Sequence, residues 1–319
     1  MRVVALEEHY TDAEVEAAIG RRLGGPIGTA LQLSVEDRIA GMDAAGLDLA
    51  VLSLAPPGLQ GVTEPTAPDL ARAVNDRLAD DISVAAGRLG GFAALPTAVP
   101  AAAADELTRC VEELGFCGAL INGPTGGAFL DAPEFRTILK RAADLRVPIY
   151  IHPSDPLAPV RETYLEPYAT THPMFGRAAW GYTMETGTHA MRVALSGAFD
   201  DCPDLQVVLG HLGEAIPFLL SRIDEALARD TPMKNFAEVF RRHFRITTSG
   251  FFSDAALACC LAELGEERVM FSIDSPFAST ADGMSWLRGL ELDADLKTRI
   301  ASGNADRLLR TGTDASGRA

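Results

Sequence analysis

The chain has 319 residues, 47% of them hydrophobic, enough for one large domain or two ordinary ones and for a substantial core without disulfide staples. Its formal net charge of −16 argues against a nucleic-acid partner and an anionic membrane surface, both of which need clustered Lys and Arg. An anionic substrate stays open, because one local Arg or metal ion reverses the sign inside a cleft.

Taken in chain order, short apolar runs rich in β-branched residues occur at 3–9, 49–55, 89–96, 116–122, 147–152, 205–211, 244–250 and 268–274. Most are continuously hydrophobic rather than alternating, the pattern of strands covered on both faces, as in parallel sheets. Helical spacing marks the segments between them: 34–46, 69–86, 101–114, 132–145, 186–199, 214–228, 254–264, 283–290 and 295–309. The first opens with SVED, a capping box with Ser34 as cap and Asp37 in the place of the usual Glu. Asp131 is placed to cap the helix at 132–145. Eight strands alternating with helices predict an α/β protein closed into a (β/α)8 TIM barrel. No G-x-G-x-x-G follows the first strand, which weakens an open doubly wound sheet. The barrel is expected to be a single domain over 1–311, followed by a frayed tail at 312–319 (GTDASGRA).

Two connections are long, 11–33 after strand one and 154–184 after strand five. Both leave the end of a strand where barrel active sites are built. The second carries Tyr164, Tyr168, Phe175, Trp180 and Tyr182, which predicts an ordered wall or lid. The five cysteines are odd in number and none has C-x-x-C spacing, so reduced thiols in a cytoplasmic protein are expected. The start, MRVVALEEHY, lacks a secretory h-region, and no apolar run reaches membrane-spanning length.

Ligand-type residues stand at the ends of the predicted strands. Glu7 and His9 end strand one, and their i, i+2 spacing puts both on one face with Glu8 on the other. His152 ends strand five and Asp274 ends strand eight, with His211 at the end of strand six. One strand-end His is ordinarily a hydrogen-bonded residue, and one acidic residue after a strand is ordinarily a helix cap. Their joint placement at one barrel mouth points to a site for Mn2+, Zn2+ or Fe2+. His172, His189 and His243 fall in a loop, in a helix and just before a strand, and are read as structural.

The segments ALEEH, NDRLAD, FAALP, LGFCGALING, IYIHP, ETGTHAMRVALSGAFDDCPDL, LGHLGE, FRITTSG, FSIDSPF and NADRLL occur here in one order. In them the chain resembles the amidohydrolase-related decarboxylases, the branch holding γ-resorcylate (2,6-dihydroxybenzoate) decarboxylase and aminocarboxymuconate-semialdehyde decarboxylase. The likeness runs over nearly the whole chain, and ALEEH is more similar to the benzoate decarboxylases. The resemblance implies one divalent ion per chain, Mn2+ or Zn2+, held by Glu7, His9, His152 and Asp274. It implies catalytic roles for Asp274, His211 and Glu214, substrate contacts for Arg222 and Asn122, and a homodimer or homotetramer. Strand four ends GALING without lysine, so a carbamylated-lysine binuclear site is not supported. One departure is Ser275, where the resorcylate-type relatives carry a large aromatic residue; the pocket there is expected to be wider or more polar. Trp180 is the candidate to supply that aromatic wall.

The expected reaction is metal-dependent, non-oxidative decarboxylation of a hydroxylated aromatic acid, reversible at high bicarbonate. The alternatives are a mononuclear metal hydrolase acting on a lactone, ester or amide, with Asp274 as base, and a non-catalytic metal-binding barrel.

Overall fold

Parallel strands run through the computed structural model, which describes residues 1–62, 65–230 and 235–311. They are β1 (Val4–Tyr10), β2 (Leu49–Leu54), β3 (Leu89–Gly91), β4 (Ala93–Ala94), β5 (Ala119–Asn122), β6 (Ile149–His152), β7 (Val207–Leu209), β8 (Phe244–Thr247) and β9 (Val269–Met270). They pair in sequence order, β1 to β3 in one sheet and β4 to β9 in another. All eight predicted strands are present, most of them shorter than the apolar runs. The third is split at Phe92, whose N–H bonds Leu52 O at 2.9 Å while its neighbours Gly91 and Ala93 bond Cys117 and Gly118. β3 and β4 are therefore two halves of one stave.

The two outer edges meet where Asp274 N–H donates to Glu7 O (2.9 Å) and His9 N–H donates to Ser275 O (2.7 Å). The result is a (β/α)8 barrel. Inside it pack Val4, Leu6, Leu49, Val51, Phe92, Leu120, Tyr150, Val208 and Met270. The alternate residues Ala5, Ile121, Ile151, Leu209 and Ile246 pack outward with the helices. Both faces being buried is why the strand sequences read as unbroken apolar runs.

The helices follow the predicted order with shifted ends. Ser34 caps Val35–Ala45, accepting the Asp37 N–H at 3.1 Å, but Asp37 turns its carboxylate to the Ser34 hydroxyl (3.0 Å). Asp131 is no cap: it pairs with Arg192 at 2.9 Å, and a short 3-10 turn Pro133–Phe135 precedes the helix Arg136–Leu145. The segment 11–33 contains two unforeseen short helices, Ala13–Ile19 and Gly25–Leu31, and Phe236–His243 is a third. The helix expected from 186 begins earlier, at Gly181–Leu195. The expected tail at 312–319 lies outside the described residues. None of the five cysteines is in a disulfide, and no helix among the described residues is long and apolar enough to cross a membrane.

Candidate metal centre

Four side chains converge at the C-terminal mouth of the barrel. Glu7 and His9 come from β1, His152 from the end of β6, and Asp274 from the turn after β9. One donor atom from each lies within 4.8 Å of every other. His152 Nε2 faces Glu7 Oε1 at 3.1 Å, and His9 Nε2 faces Asp274 Oδ1 at 3.2 Å. Glu7 Oε1, His9 Nε2 and Asp274 Oδ1 are buried and have no hydrogen-bond partner. A buried acceptor left without a donor costs about 1–3 kcal/mol, so three together need another explanation. One divalent cation bound by two imidazoles and two carboxylates supplies it, since that donor set suits Mn2+ or Zn2+.

The tautomers agree. His152 Nδ1 lies 2.8 Å from Pro153 O, which can only accept, so Nδ1 carries the proton and Nε2 offers its lone pair. His9 Nδ1 is held by the Ser53 hydroxyl at 3.1 Å, again leaving Nε2 toward the cluster. Such outer contacts orient ligands and tune their basicity. The far oxygen of Glu7 accepts from Tyr150 OH, which also meets Thr247 Oγ1 at 2.7 Å. A Cβ at Gly210 would stand 2.6 Å from that oxygen, so any larger residue there would push the Glu7 carboxylate out of its place.

His211 lies outside the four-donor set. It follows β7 in a left-handed turn in which His211, Leu212, Gly213, Glu214 and Ala215 all have positive φ. Its Nδ1 donates to Glu214 Oε1 at 2.8 Å, and its Nε2 stands 3.5 Å from Asp274 Oδ2 and 3.9 Å from Glu7 Oε1.

Burial alone would raise the Glu7 carboxyl, but the imidazoles of His211, His152 and His9 outweigh it and hold it well below the usual carboxylate range. Asp274 behaves alike: burial raises it, the facing His211 and His9 lower it further. Burial would neutralise His211, yet Glu214, Glu7 and Asp274 keep it protonated well above the ordinary imidazole range. Glu8 points to the other face of β1, where burial pushes its carboxyl up to about 8.

The other candidates divide. Asn122 is buried next to His152 in register; its amide nitrogen donates to Leu54 O at 3.0 Å, while Oδ1 has no partner. Ser275 belongs to the closing seam through its backbone. Phe277 packs edge-on against the His9 ring, with centroids 5.4 Å apart, so an aromatic wall is present two residues beyond Ser275. Arg222 and Trp180 are exposed and make no hydrogen bond, ion pair or ring contact with the cluster. Among the remaining histidines, His189 accepts the Leu130 N–H at 3.0 Å, His243 is bonded to Leu205 O at 2.9 Å, and His172 is exposed. Sequence reasoning missed Tyr150, Ser53 and Thr247. Tyr150 carried a signal, since it sits two residues before His152 on the same strand face; Ser53 and Thr247 carried none.

A cavity of about 690 Å³ lies elsewhere, bordered by Tyr10, Leu31, Arg38, Leu52, Asp81 and Leu89. It shares no residue with the ligand cluster, whose unpartnered donors are the better guide to chemistry.

Comparison with known proteins points the same way. The family model described as amidohydrolase matches residues 27–311. The γ-resorcylate decarboxylase of Rhodococcus jostii (strain RHA1) is 37% identical over 96% of this chain and 98% of its own. The crystal structure of 2,6-dihydroxybenzoate decarboxylase from Rhizobium superposes with a TM-score of 0.88 at 34% identity, covering 97% of this chain and 99% of that one. The dihydroxybenzoic acid decarboxylase of Polaromonas sp. JS666, solved with manganese and the inhibitor 2-nitroresorcinol, also has a TM-score of 0.88, at 32% identity and 97% coverage of both chains.

Proposed function

The chain belongs to the amidohydrolase family, and from that membership we infer a metal-dependent, non-oxidative decarboxylase of hydroxylated aromatic carboxylic acids. The observation that carries this reading is the buried four-donor cluster with three unpartnered donor atoms, set in a chain alike from end to end to a γ-resorcylate decarboxylase. It is a carboxy-lyase that uses one divalent ion per chain. Glu7, His9, His152 and Asp274 hold that ion, and manganese is the first candidate because the Polaromonas relative was solved with it. When bound, the ion offsets the charge of a chelating carboxylate and ortho-hydroxyl and fixes the ring's position.

The chain's own residues then move one proton. Asp274 delivers it to the ring carbon that bears the carboxylate. The C–C bond to the carboxylate breaks, its electron pair restores the aromatic ring, and CO2 leaves. Each turnover consumes one proton. Asp274 is held ionised by its neighbours, so it needs a donor, and His211 Nε2 at 3.5 Å is placed for that. Glu214 fixes the imidazole's orientation and favours its charged form. Asn122, Ser275 and Trp180 are proposed to border the substrate, and Arg222 to meet its acidic group. We further propose that the enzyme works in the cytoplasm as a single domain over 1–311, in a homodimer or homotetramer.

The test is incubation of the Mn2+-loaded protein with 2,6- and 2,3-dihydroxybenzoate, salicylate and vanillate analogues, following CO2 release. Release from at least one hydroxybenzoate, and its loss in Asp274→Asn, is expected. If every acid is inert while a lactone is opened, a hydrolase replaces this reading. The ligand assignment has its own check: His152→Ala should lose most of the roughly one ion per chain found by metal analysis.

A further inference from the structure

Most strand junctions of this barrel are main-chain ladders, but the seam between β9 and β1 is completed by two side chains. Ser272 Oγ accepts two successive amides of β1, Leu6 N–H at 2.9 Å and Glu7 N–H at 2.7 Å, and donates to Glu8 Oε1 at 3.2 Å. A hydroxyl has one proton and two lone pairs, so this one is used to capacity. Glu8 returns the contact: its two oxygens accept Ile273 N–H at 3.1 Å and Ser275 N–H at 3.2 Å, the amides on either side of Asp274. Thr248 Oγ1 fixes Ser272 from behind, accepting its N–H and donating to its carbonyl (2.8 Å). Both clasp side chains are buried.

The seam matters because β1 changes phase there. Val4 and Leu6 point into the barrel interior, yet Glu7 and His9, one step out of that alternation, reach the same interior. The register of β1 against β2 slips between Ala5 and Glu8, the mark of a bulge. A bulge leaves consecutive N–H groups on one side without ladder partners, and Ser272 takes both. Were the bulge to relax by one residue, Glu7 would turn outward and Glu8 inward.

We propose that Ser272 and Glu8 form a clasp across the closing seam that holds Glu7 and His9 in phase with Asp274 and so sets the spacing of three of the four metal donors. They are positioning residues; neither touches the ion or the substrate. The proposal rests on the metal-site reading above.

Its test compares Ser272→Ala, Glu8→Gln and the control Asn304→Ala. Asn304 also secures β9, donating to Glu266 O and Val269 O at 2.8 Å, but at the end of the strand away from the ligands. Mn2+ affinity, the visible spectrum of the Co2+-loaded protein and Tm are measured for each. Expected for both clasp variants are a roughly 10- to 100-fold weaker Mn2+ affinity and a shifted Co2+ spectrum. The control should lose Tm and keep both metal readouts. Wild-type Mn2+ affinity and Co2+ spectrum in either folded clasp variant would overturn the clasp, as would a control whose affinity falls in step with its Tm. If Ser272→Ala does not fold, Glu8→Gln decides alone, because it keeps the side chain's size and one acceptor oxygen. His152→Ala separates the two ideas: metal retained there refutes the site itself, whereas metal lost there but kept in the clasp variants refutes only the clasp.

Discussion

In the proposed mechanism Glu214 acts through His211, the donor that returns a proton to Asp274. It has no donor atom in the ligand cluster, yet its carboxylate lies 2.8 Å from His211 Nδ1 at the end of a turn whose backbone is left-handed throughout. Left-handed backbone costs roughly 1–2 kcal/mol for each residue with a Cβ, and His211, Leu212, Glu214 and Ala215 all have one. The turn is held by the Gly213 N–H to Gly210 O bond at 2.7 Å, by burial of Leu212, and by the His211–Glu214 contact. Strain of this kind persists where the surroundings over-determine it, commonly at functional sites. Glu214→Gln keeps the shape and removes the charge that favours the protonated imidazole. Steady-state kinetics should show kcat lower by about 10²-fold, the low end for a positioned acid, with KM little changed and metal per chain intact. An unchanged kcat would remove the His211–Glu214 pair from the mechanism.

At the level of elements, the alternation of strands and helices was readable because each stave is covered on both faces. Leu120 and Ile121, and Val208 and Leu209, are paired inward and outward residues, all apolar; in the pair Tyr150 and Ile151 the one polar group is the tyrosine hydroxyl that meets Glu7. The four residues whose donor atoms converge were readable for a related reason: period-2 spacing and strand-end position are properties of the sequence itself. What escaped was fixed by tertiary contact. The bulge in β1 is invisible in ALEEH, because the partner that stabilises it, Ser272, is 265 residues from Glu7. The helices at Ala13–Ile19 and Gly25–Leu31 are short, and glycines around Gly24–Gly28 mask the second. His189 shows the same dependence with a measurable consequence. On the helix Gly181–Leu195 it is buried, accepts the Leu130 N–H, and burial lowers its pKa to about 3. The unfolded chain, with an ordinary imidazole near 6.5, therefore binds the proton that the folded one refuses. This contribution to stability is complete above pH 6.5 and is lost as pH falls from there toward 3, by at most about 1.4 kcal/mol per pH unit. His189→Gln keeps an acceptor for Leu130 and does not titrate. Between pH 6.5 and 4.5 its Tm should fall less steeply than that of the wild type; parallel curves would show that His189 is protonated in the folded state.

For the molecule as a whole, net charge and exposed apolar surface pull in opposite directions. A charge of −16 drives copies apart. Against it, the helix Ile216–Asp230, which begins directly after the His211–Glu214 turn, leaves Phe218 80% exposed and Leu219 40% exposed. Arg222, one turn after Phe218 on the same helix face, is also exposed. Phe218 seated in a two-fold interface would be buried twice, once from each copy. At about 1.5–3 kcal/mol for burying a phenyl side chain, the pair contributes about 3–6 kcal/mol, or roughly 10²- to 10⁴-fold in the dimer Kd. Phe218→Asp adds a charge at each of two facing positions instead. Sedimentation velocity at micromolar concentration should then report the monomer mass, about 34 kDa from the sequence, whereas the proposed assembly predicts a dimer or tetramer for the wild type. Metal content per chain should stay unchanged, because all four donors of the cluster come from one chain. A variant that keeps the wild-type mass would move the interface to another face, and a wild type that sediments as a monomer would end the case for association on this helix.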